Sequence, residues 1–413
     1  MTKHGGRNVL ALEWLQFGMS RLVAAAAEEG LHVHLLTQDR SEYAYELTVV
    51  DRDHLTIHDV DTQDAVAVTD VARRIGDVAG LLSTTDTSSL VALAVREELG
   101  LGGPEPEGIR LARDKTALRS CLYEHGLSRA PGTSVGDEEG AARLAERVGL
   151  PLIVKDSAGT SSEHIWLART PGDLERVLRE VRECSLRGHA TAEPYFRGPL
   201  YSVETLSWGG HTRVLGVNSR QLSAPPVFRE EALSFPVSLP SDLGADLVRW
   251  IEQVLKVTGY TEGFAHTEFI MTRQGFEVVE INPRLAGALV GEAIGHSFDC
   301  NVYRAFIDLA LRRRPGLLDA PLTCGRGAAQ VLVYAPEPGT YREITGTEEL
   351  GEHPGVPVLY PVLTPGTHVR SVTDQDGCVA MLLATGASAH LALQNALSAA
   401  GQLRVRMEGG SRV

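Results

Sequence analysis

With 413 residues, 43% hydrophobic and 22% charged, the chain has the composition of a soluble globular protein and the length for about two to three domains with a large core. Asp and Glu outnumber Lys and Arg by 53 to 39, and the net charge of −14 repels nucleic-acid backbones and anionic membranes, so neither is expected as a partner. Five scattered cysteines (Cys121, Cys184, Cys300, Cys324, Cys378), none in a CxxC pair, argue against a disulfide frame or zinc site and for free thiols in a reducing compartment.

The opening MTKHGGRNVLALEW has no long apolar core followed by a cleavage site, and no run is long enough to span a membrane, so the expected location is cytoplasmic. Arg7 to Leu12 reads as a strand, Leu15 to Glu29 as an alanine-rich helix stopped by Gly30, and Leu31 to Leu36 as the next strand. This βαβ start belongs to a doubly wound parallel sheet. The turn Glu13-Trp14-Leu15-Gln16-Phe17-Gly18 lacks GxGxxG, which disfavours NAD. Val78 to Leu82 is a further strand, followed by the cap-like cluster Ser83-Thr84-Thr85-Asp86 and a helix over Ser88 to Leu99. Glycine- and proline-rich GLGGPEPEG then closes a first domain near residue 105.

A helix opens at Ala112-Arg113-Asp114-Lys115 and runs to about His125, and another spans Glu138 to Val148. By themselves Asp114 and Lys115 are ordinary helix-surface residues. The strand Leu150 to Lys155 ends in a lysine that, taken alone, is a snorkelling edge residue. After it comes a small-residue loop, Asp156-Ser157-Ala158-Gly159-Thr160-Ser161-Ser162, whose backbone N–H groups can approach phosphates closely, although GxxxxGK[ST] is missing. Ile165 to Ala168 returns as a strand, Pro171 to Glu183 is helical, and Ala192-Glu193-Pro194-Tyr195-Phe196 follows. Arg220 is either a solvated strand residue or a clamp for phosphate or carboxylate. The stretch Pro225 to Phe235, with Phe228, reads as a loop covering a substrate. Asp242 to Thr258 is an amphipathic helix.

The most informative stretch is Gly263 to Gly287, GFAHTEFIMTRQGFEVVEINPRLAG, two strands joined at Arg273-Gln274-Gly275. Glu280 and Asn282, at i and i+2, point to one face of their strand. If Glu268 from the paired strand joins that face, three hard oxygen ligands suited to Mg²⁺ converge, and Arg284 can hold a phosphate through its guanidinium fork; the alternative is a surface hairpin with solvated carboxylates. His266 shares a strand face with Glu268, as a substrate or phosphate contact or in a structural role. His296, in the glycine-dotted run after Gly287, reads as a packed histidine. Beyond about Leu322, strands at Ala328 to Tyr334, Val369 to Thr373, Val379 to Ala384 and Leu403 to Met407, with a helix over Ala387 to Ala399, form a smaller lobe.

The pattern GFAHTEF…GFEVVEINPRLAG resembles the metal-binding end of the ATP-grasp carboxylate–amine ligases, the superfamily of D-alanine–D-alanine ligase and biotin carboxylase. It is closest in look to L-amino acid ligases, which make dipeptides. The resemblance implies a mixed α/β and α+β chain with an ATP-grasp fold: an N-terminal Rossmann-like domain over 1–105, an ATP-grasp domain over 106–320 with a lid at about 125–195, and a C-terminal α+β lobe over 321–413. It also implies ATP with Mg²⁺, for which Mn²⁺ can substitute. Glu268, Glu280 and Asn282 would hold the metal.

The remaining assignments follow the same resemblance. Lys115 occupies the lysine of an Asp/Asn-Lys-x₃-Arg opening that reaches the ATP phosphates. Lys155 and the loop residues Ser157, Gly159, Ser161 and Ser162 match a lid that covers them. Glu193, Tyr195 and Phe196 match the hinge that meets adenine, Glu204 is a polar wall of the site, and Arg284 and Lys155 act on the transferring phosphoryl group. The ribose-binding Glu that such ligases often carry seven residues after Glu193 is replaced by Leu200. The expected reaction joins a carboxylate, an amino acid foremost, to an amine through an acyl phosphate, with ADP and phosphate released. A carboxylase or purine-pathway-type ligase, or a non-catalytic nucleotide-binding regulator, is the alternative. Partners are thus small-molecule carboxylates and amines, with room for a homodimer.

Overall fold

The computed structural model describes residues 7–136, 138–160, 163–225 and 227–408. The chain begins with a parallel four-stranded sheet, β1 (Asn8–Leu12), β2 (His32–Thr37), β3 (Leu55–Asp59) and β4 (Val78–Ser83), in the order β3-β2-β1-β4. Both faces of β1 are covered, which is why the run Val9 to Leu12 is continuously apolar and buried. Val9 and Ala11 join a core with the helix Met19–Glu28, while Leu10 and Leu12 pack with Val68 and Val95 of the helices Ala65–Ile75 and Ser89–Leu99. The first helix starts four residues later than its composition suggests. The turn before it takes left-handed backbone at Glu13 and Gly18, and the buried Glu46 carboxylate accepts the N–H groups of Gly18 and Ser20 at 2.8 and 2.9 Å.

A second, antiparallel sheet, β5 (Thr133–Ser134), β6 (Leu152–Asp156), β7 (Ile165–Ala168) and β8 (Ala190–Pro194), runs in the order β5-β8-β6-β7. The helices Ala141–Val148 and Pro171–Glu183 pack on it through Leu144, Leu174, Val177 and Leu178. The second of these opens on a reciprocal cap, with Thr170 Oγ1 and the Asp173 carboxylate each bonded to the other's backbone N–H.

The largest sheet combines two parts of the chain. β9 (Leu200–Trp208), β10 (His211–Leu222), β11 (Glu230–Phe235), β12 (Gly263–Thr272) and β13 (Gly275–Asn282) come first, and β14 (Gly327–Tyr334), β15 (Gly339–Thr345), β16 (Val358–Pro361), β17 (His368–Val369), β18 (Cys378–Gly386) and β19 (Arg404–Met407) follow. Eight of these form one antiparallel sheet in the order β13-β12-β9-β10-β11-β14-β18-β16, and β17-β15-β19 form a three-stranded sheet beside it. One face of the large sheet packs on the helix Ser241–Val257 through Val203, Phe269, Val278 and Ile281. The opposite, polar face of β12, β13 and β9 is left to build a site.

Three expectations change here. The second half of the presumed substrate loop is β11, because Phe235 is fully buried and its ring lies 2.4 Å from where a side chain on Gly216 would begin; Pro226, in the first half, lies outside the described residues. The strand expected over Val369 to Thr373 is limited to His368–Val369. The cluster Ser83 to Asp86 does not cap the following helix, whose first turn receives no side-chain bond.

Helices Val290–Phe298 and Arg304–Ala310 join the first sheet to the large one through Trp14, Tyr303 and Phe306. The Tyr303 ring is clamped between Gly18 and Gly291, where an added Cβ would come within 2.0 and 2.3 Å of it. Gly291→Ala should therefore cost about 1–3 kcal/mol through overpacking, even though alanine is the better helix former by about 1 kcal/mol. A urea titration showing Gly291→Ala to be stabilising would refute the clamp.

Candidate functional site

In the β12–β13 hairpin Glu268 lies directly opposite Glu280, and His266 opposite Asn282, with a bulge just after Glu268. Like charges placed opposite one another on a sheet repel, so the pair persists only with compensating cations. Glu280 Oε2 lies 3.2 Å from Lys115 Nζ, and its Oε1 accepts from Asn282 Nδ2 at 2.8 Å. Glu268 accepts from Arg220 Nη1 and lies 3.3 Å from His266 Nε2. Burial pushes both carboxyls up, but Lys115 and the Asn282 amide hold Glu280 well below the carboxylate range, and Arg220 brings Glu268 below it.

Because Asn282 gives an amide hydrogen to Glu280, its oxygen is the side left to face a cation. Two ionised carboxylates and an amide oxygen on one sheet face fit Mg²⁺, a hard ion that takes few protein ligands and completes its shell with water or phosphate. Among the described residues no group of three His, Cys, Asp or Glu can hold a metal ion. On this sheet face the Asn282 amide oxygen is what stands beside the two carboxylates.

The cations come from neighbouring elements. Lys115 opens the helix Lys115–Glu124, whose cap is Asp114, accepting the N–H groups of Thr116 and Ala117 at 2.9 and 3.0 Å. The cap fixes the Lys115 stem so that Nζ donates to Gly159 O at 2.6 Å. Lys155 is 3% exposed and not an edge residue: Nζ donates to Glu193 Oε1 at 2.7 Å and to Val279 O at 3.2 Å. Burial, with Arg119 and Lys115 close by, lowers its pKa despite Glu193.

Arg119, one turn after Lys115, was the residue sequence reasoning passed over. It is buried, and donates from Nε to Glu193 Oε2 at 2.7 Å, from Nη1 to Ser128 Oγ and Glu277, and from Nη2 to Val278 O. The i, i+4 spacing in Lys115-Thr116-Ala117-Leu118-Arg119 was the available signal.

Lys115, Lys155, Gly159, Glu268, Glu280, Asn282 and Arg284 thus line a single cleft, together with Asp86, Arg220 and His266. The other anticipated residues sit around it. Ser157 turns to His189, sharing a hydrogen bond with Nδ1 at 3.1 Å and accepting its N–H at 3.0 Å. The Glu193 side chain lies behind Lys155, held by Arg119 and Lys155. Tyr195 packs under Arg169, and Phe196 meets the guanidinium groups of both Arg119 and Arg129 at 5.2 and 5.1 Å. Ser161 and Ser162 lie outside the described residues.

Glu204 is a correction. Instead of forming a wall of the cleft it is fully buried beneath it, bonded to His266 Nδ1 at 2.6 Å, Asn218 Nδ2 at 3.0 Å and Ala286 N at 3.1 Å. Burial lowers the pKa of His266, but Glu204 outweighs it and raises the value to about 9, so the imidazole is charged at neutral pH. Arg220, left open between two roles, has a side chain only 9% exposed, with its fork filled by Glu230 at 2.7 Å and by Glu268. The loop after β6 is anchored by Asp156, which accepts the N–H groups of Ala158, Arg187 and Gly188 at 3.0, 2.7 and 3.0 Å. These bonds hold its carboxyl below the usual range against the opposing effect of burial. Leu200 begins β9 opposite Ile270.

Known proteins resemble this chain in sequence and in fold. Residues 148–292 match the ATP-grasp domain family, and residues 331–408 match the family described as L-amino acid ligase C-terminal domain 2. An uncharacterized protein, y4rH, of Sinorhizobium fredii is 26% identical over 389 residues, 91% of this chain and 78% of its own length. An L-arginine-specific L-amino acid ligase of Bacillus subtilis is 22% identical over 290 residues, 68% of this chain and 69% of that protein. The crystal structure of an L-amino acid ligase from Bacillus licheniformis matches with a TM-score of 0.84 at 20% identity, covering 99% of this chain and 100% of the other, a likeness of fold. The chain thus carries an ATP-grasp domain over residues 148–292 and an L-amino acid ligase C-terminal domain 2 over residues 331–408, within a fold like that of the Bacillus licheniformis structure.

Proposed function

We propose that the protein joins the carboxylate of an amino acid to an amine, most simply a second amino acid, with ATP as the activating substrate. The observation that carries this reading is the meeting of Lys115, Lys155 and Arg284 with Glu268, Glu280 and Asn282 in one cleft. The substrate carboxylate attacks the γ-phosphoryl group, giving an acyl phosphate and ADP. The amine then attacks the acyl carbon, and phosphate leaves with the electron pair of the broken C–O bond. Such chemistry asks mainly for positioning and charge neutralisation. Lys115 and Lys155, each immobilised by a backbone carbonyl and a carboxylate, hold positive charge where phosphates would lie. Arg284 supplies a planar donor fork to the same cleft. Mg²⁺, on Glu268, Glu280 and Asn282, would offset charge on the phosphoryl oxygens. His266 and Arg220 brace Glu268 so that it faces the cleft as a carboxylate.

The match at 331–408 to the L-amino acid ligase C-terminal domain favours amino acid substrates over bicarbonate or formate. No helix among the described residues is long and apolar enough to cross a membrane; a cytoplasmic setting and a homodimer form part of the same proposal. The test is ADP release by purified protein with ATP, Mg²⁺ and pairs of amino acids or other acids and amines. Release that depends on both members of a pair is expected. No release with any pair would favour a nucleotide-binding regulator, and dependence on bicarbonate would favour a carboxylase.

A further inference from the structure

The N-terminal sheet sends one charged side chain into the cleft. Asp86 follows β4 by three residues, and its loop is held by a set of hydroxyls. Ser88 Oγ donates to Leu12 O at 3.2 Å and bonds Ser83 Oγ at 3.0 Å and Thr85 Oγ1 at 2.5 Å, while Ser89 Oγ donates to Asp86 O at 2.8 Å. Asp86 is 8% exposed, and its Oδ2 accepts from Arg284 Nη2 at 2.6 Å across 198 residues of sequence. The other end of the same guanidinium, Nη1, donates to Leu285 O at 3.0 Å. With two nitrogens already bonded to the protein itself, the plane of the Arg284 fork is set before any substrate arrives. The contact is a single charge-assisted hydrogen bond through Oδ2, with Oδ1 making no hydrogen bond, so it fixes the direction of one guanidinium nitrogen.

We propose that Asp86 is a positioning residue for phosphoryl transfer: anchored in the N-terminal sheet, it orients Arg284 toward the transferring group. This rests on the ligase reading, in which Arg284 meets phosphate. A side chain that merely packs would act independently of Arg284, whereas one that acts through Arg284 loses its effect once Arg284 is gone.

The experiment is a double-mutant cycle of Asp86→Ala and Arg284→Met. ADP release and the calorimetric affinity for ATP with Mg²⁺ are both measured, and melting temperatures are recorded for all four proteins. Asp86→Ala is expected to lower kcat by about tenfold to a hundredfold, the usual effect of removing an orienting partner, and to weaken ATP binding in the same direction as Arg284→Met. The double variant should match Arg284→Met on both readouts. Multiplying losses in the double variant, or an Asp86→Ala protein with unchanged kcat and ATP affinity, would overturn the proposal. If Asp86→Ala does not fold, the isosteric Asp86→Asn takes its place in the cycle. If wild-type protein releases no ADP with any acid–amine pair, the ligase reading fails, and the ATP-affinity cycle alone decides whether Asp86 acts through Arg284.

Discussion

Glu280→Gln should abolish ADP release, by at least about 10³-fold, the scale on which removing one stabiliser of developing charge acts, while the protein still folds. The substitution keeps the shape of the side chain and an oxygen able to accept from Asn282 Nδ2. Lys115 loses a counter-charge but keeps its bond to Gly159 O. What disappears is one of the two ionised oxygen donors on the hairpin, and with it the means of holding Mg²⁺ beside the phosphates. The check has two parts: single-turnover ADP release, and the rise in melting temperature that ATP gives with and without Mg²⁺. Wild-type protein should show a Mg²⁺-dependent rise and the variant should not. A variant that still releases ADP at the wild-type rate would sink the metal assignment of Glu268, Glu280 and Asn282.

The second large effect is structural in origin. Arg119→Met should destabilise the fold by about 3–5 kcal/mol, the cost of removing one partner from buried ion pairs. Glu193 is left with Lys155 alone, Glu277 keeps only Arg129 and Ser128 with the Arg129 N–H, and Val278 O loses a donor. The charge of Lys155 also becomes the sole match for Glu193, so the ammonium is drawn further from the cleft and ATP affinity falls as well. Guanidinium chloride titration measures the first effect and calorimetry the second. A loss below about 1 kcal/mol, the size of an exposed pair, would mean that the buried network is not what joins the helix Lys115–Glu124 to β8 and β13.

Much of the site could be read from the sequence because its residues lie on elements with strong local signals. Period-two alternation around a turn puts Glu280 and Asn282 on one strand face and Glu268 on the paired strand, whereas Lys115 was assigned only through the family resemblance. Lys155 was read with the wrong surroundings. All five residues of β6 are buried, so the strand shows no alternation, and an apolar run ending in lysine looks the same at a sheet edge as in a closed interior. Glu204 and Arg220 were ambiguous for a related reason: strand periodicity gives the face of a side chain but not whether another element closes over it. β11 was hidden by the prolines just before it and by Arg229-Glu230-Glu231, whose charges are matched by Arg220 and by one another. Asp86 had a plausible local task as a helix cap, and nothing in the spacing of residues 198 positions apart could show that it meets Arg284 instead.

The hydrogen bonding of β14 to β11 bears on how this protein is made. Ala232 to Phe235 pair with Ala328 to Val331, so the strand Glu230–Phe235 has an open side until the ribosome has added roughly a hundred further residues, and β14 in turn waits for β18. At synthesis rates of about 5–20 residues per second, the nascent chain carries an apolar, unpaired strand edge for several seconds, the kind of edge that recruits other chains. A chain cut after residue 320 would keep that edge permanently. Expressed alone it should collect in the insoluble fraction, and a co-expressed 321–413 fragment should return part of it to solution by supplying the missing strand in trans.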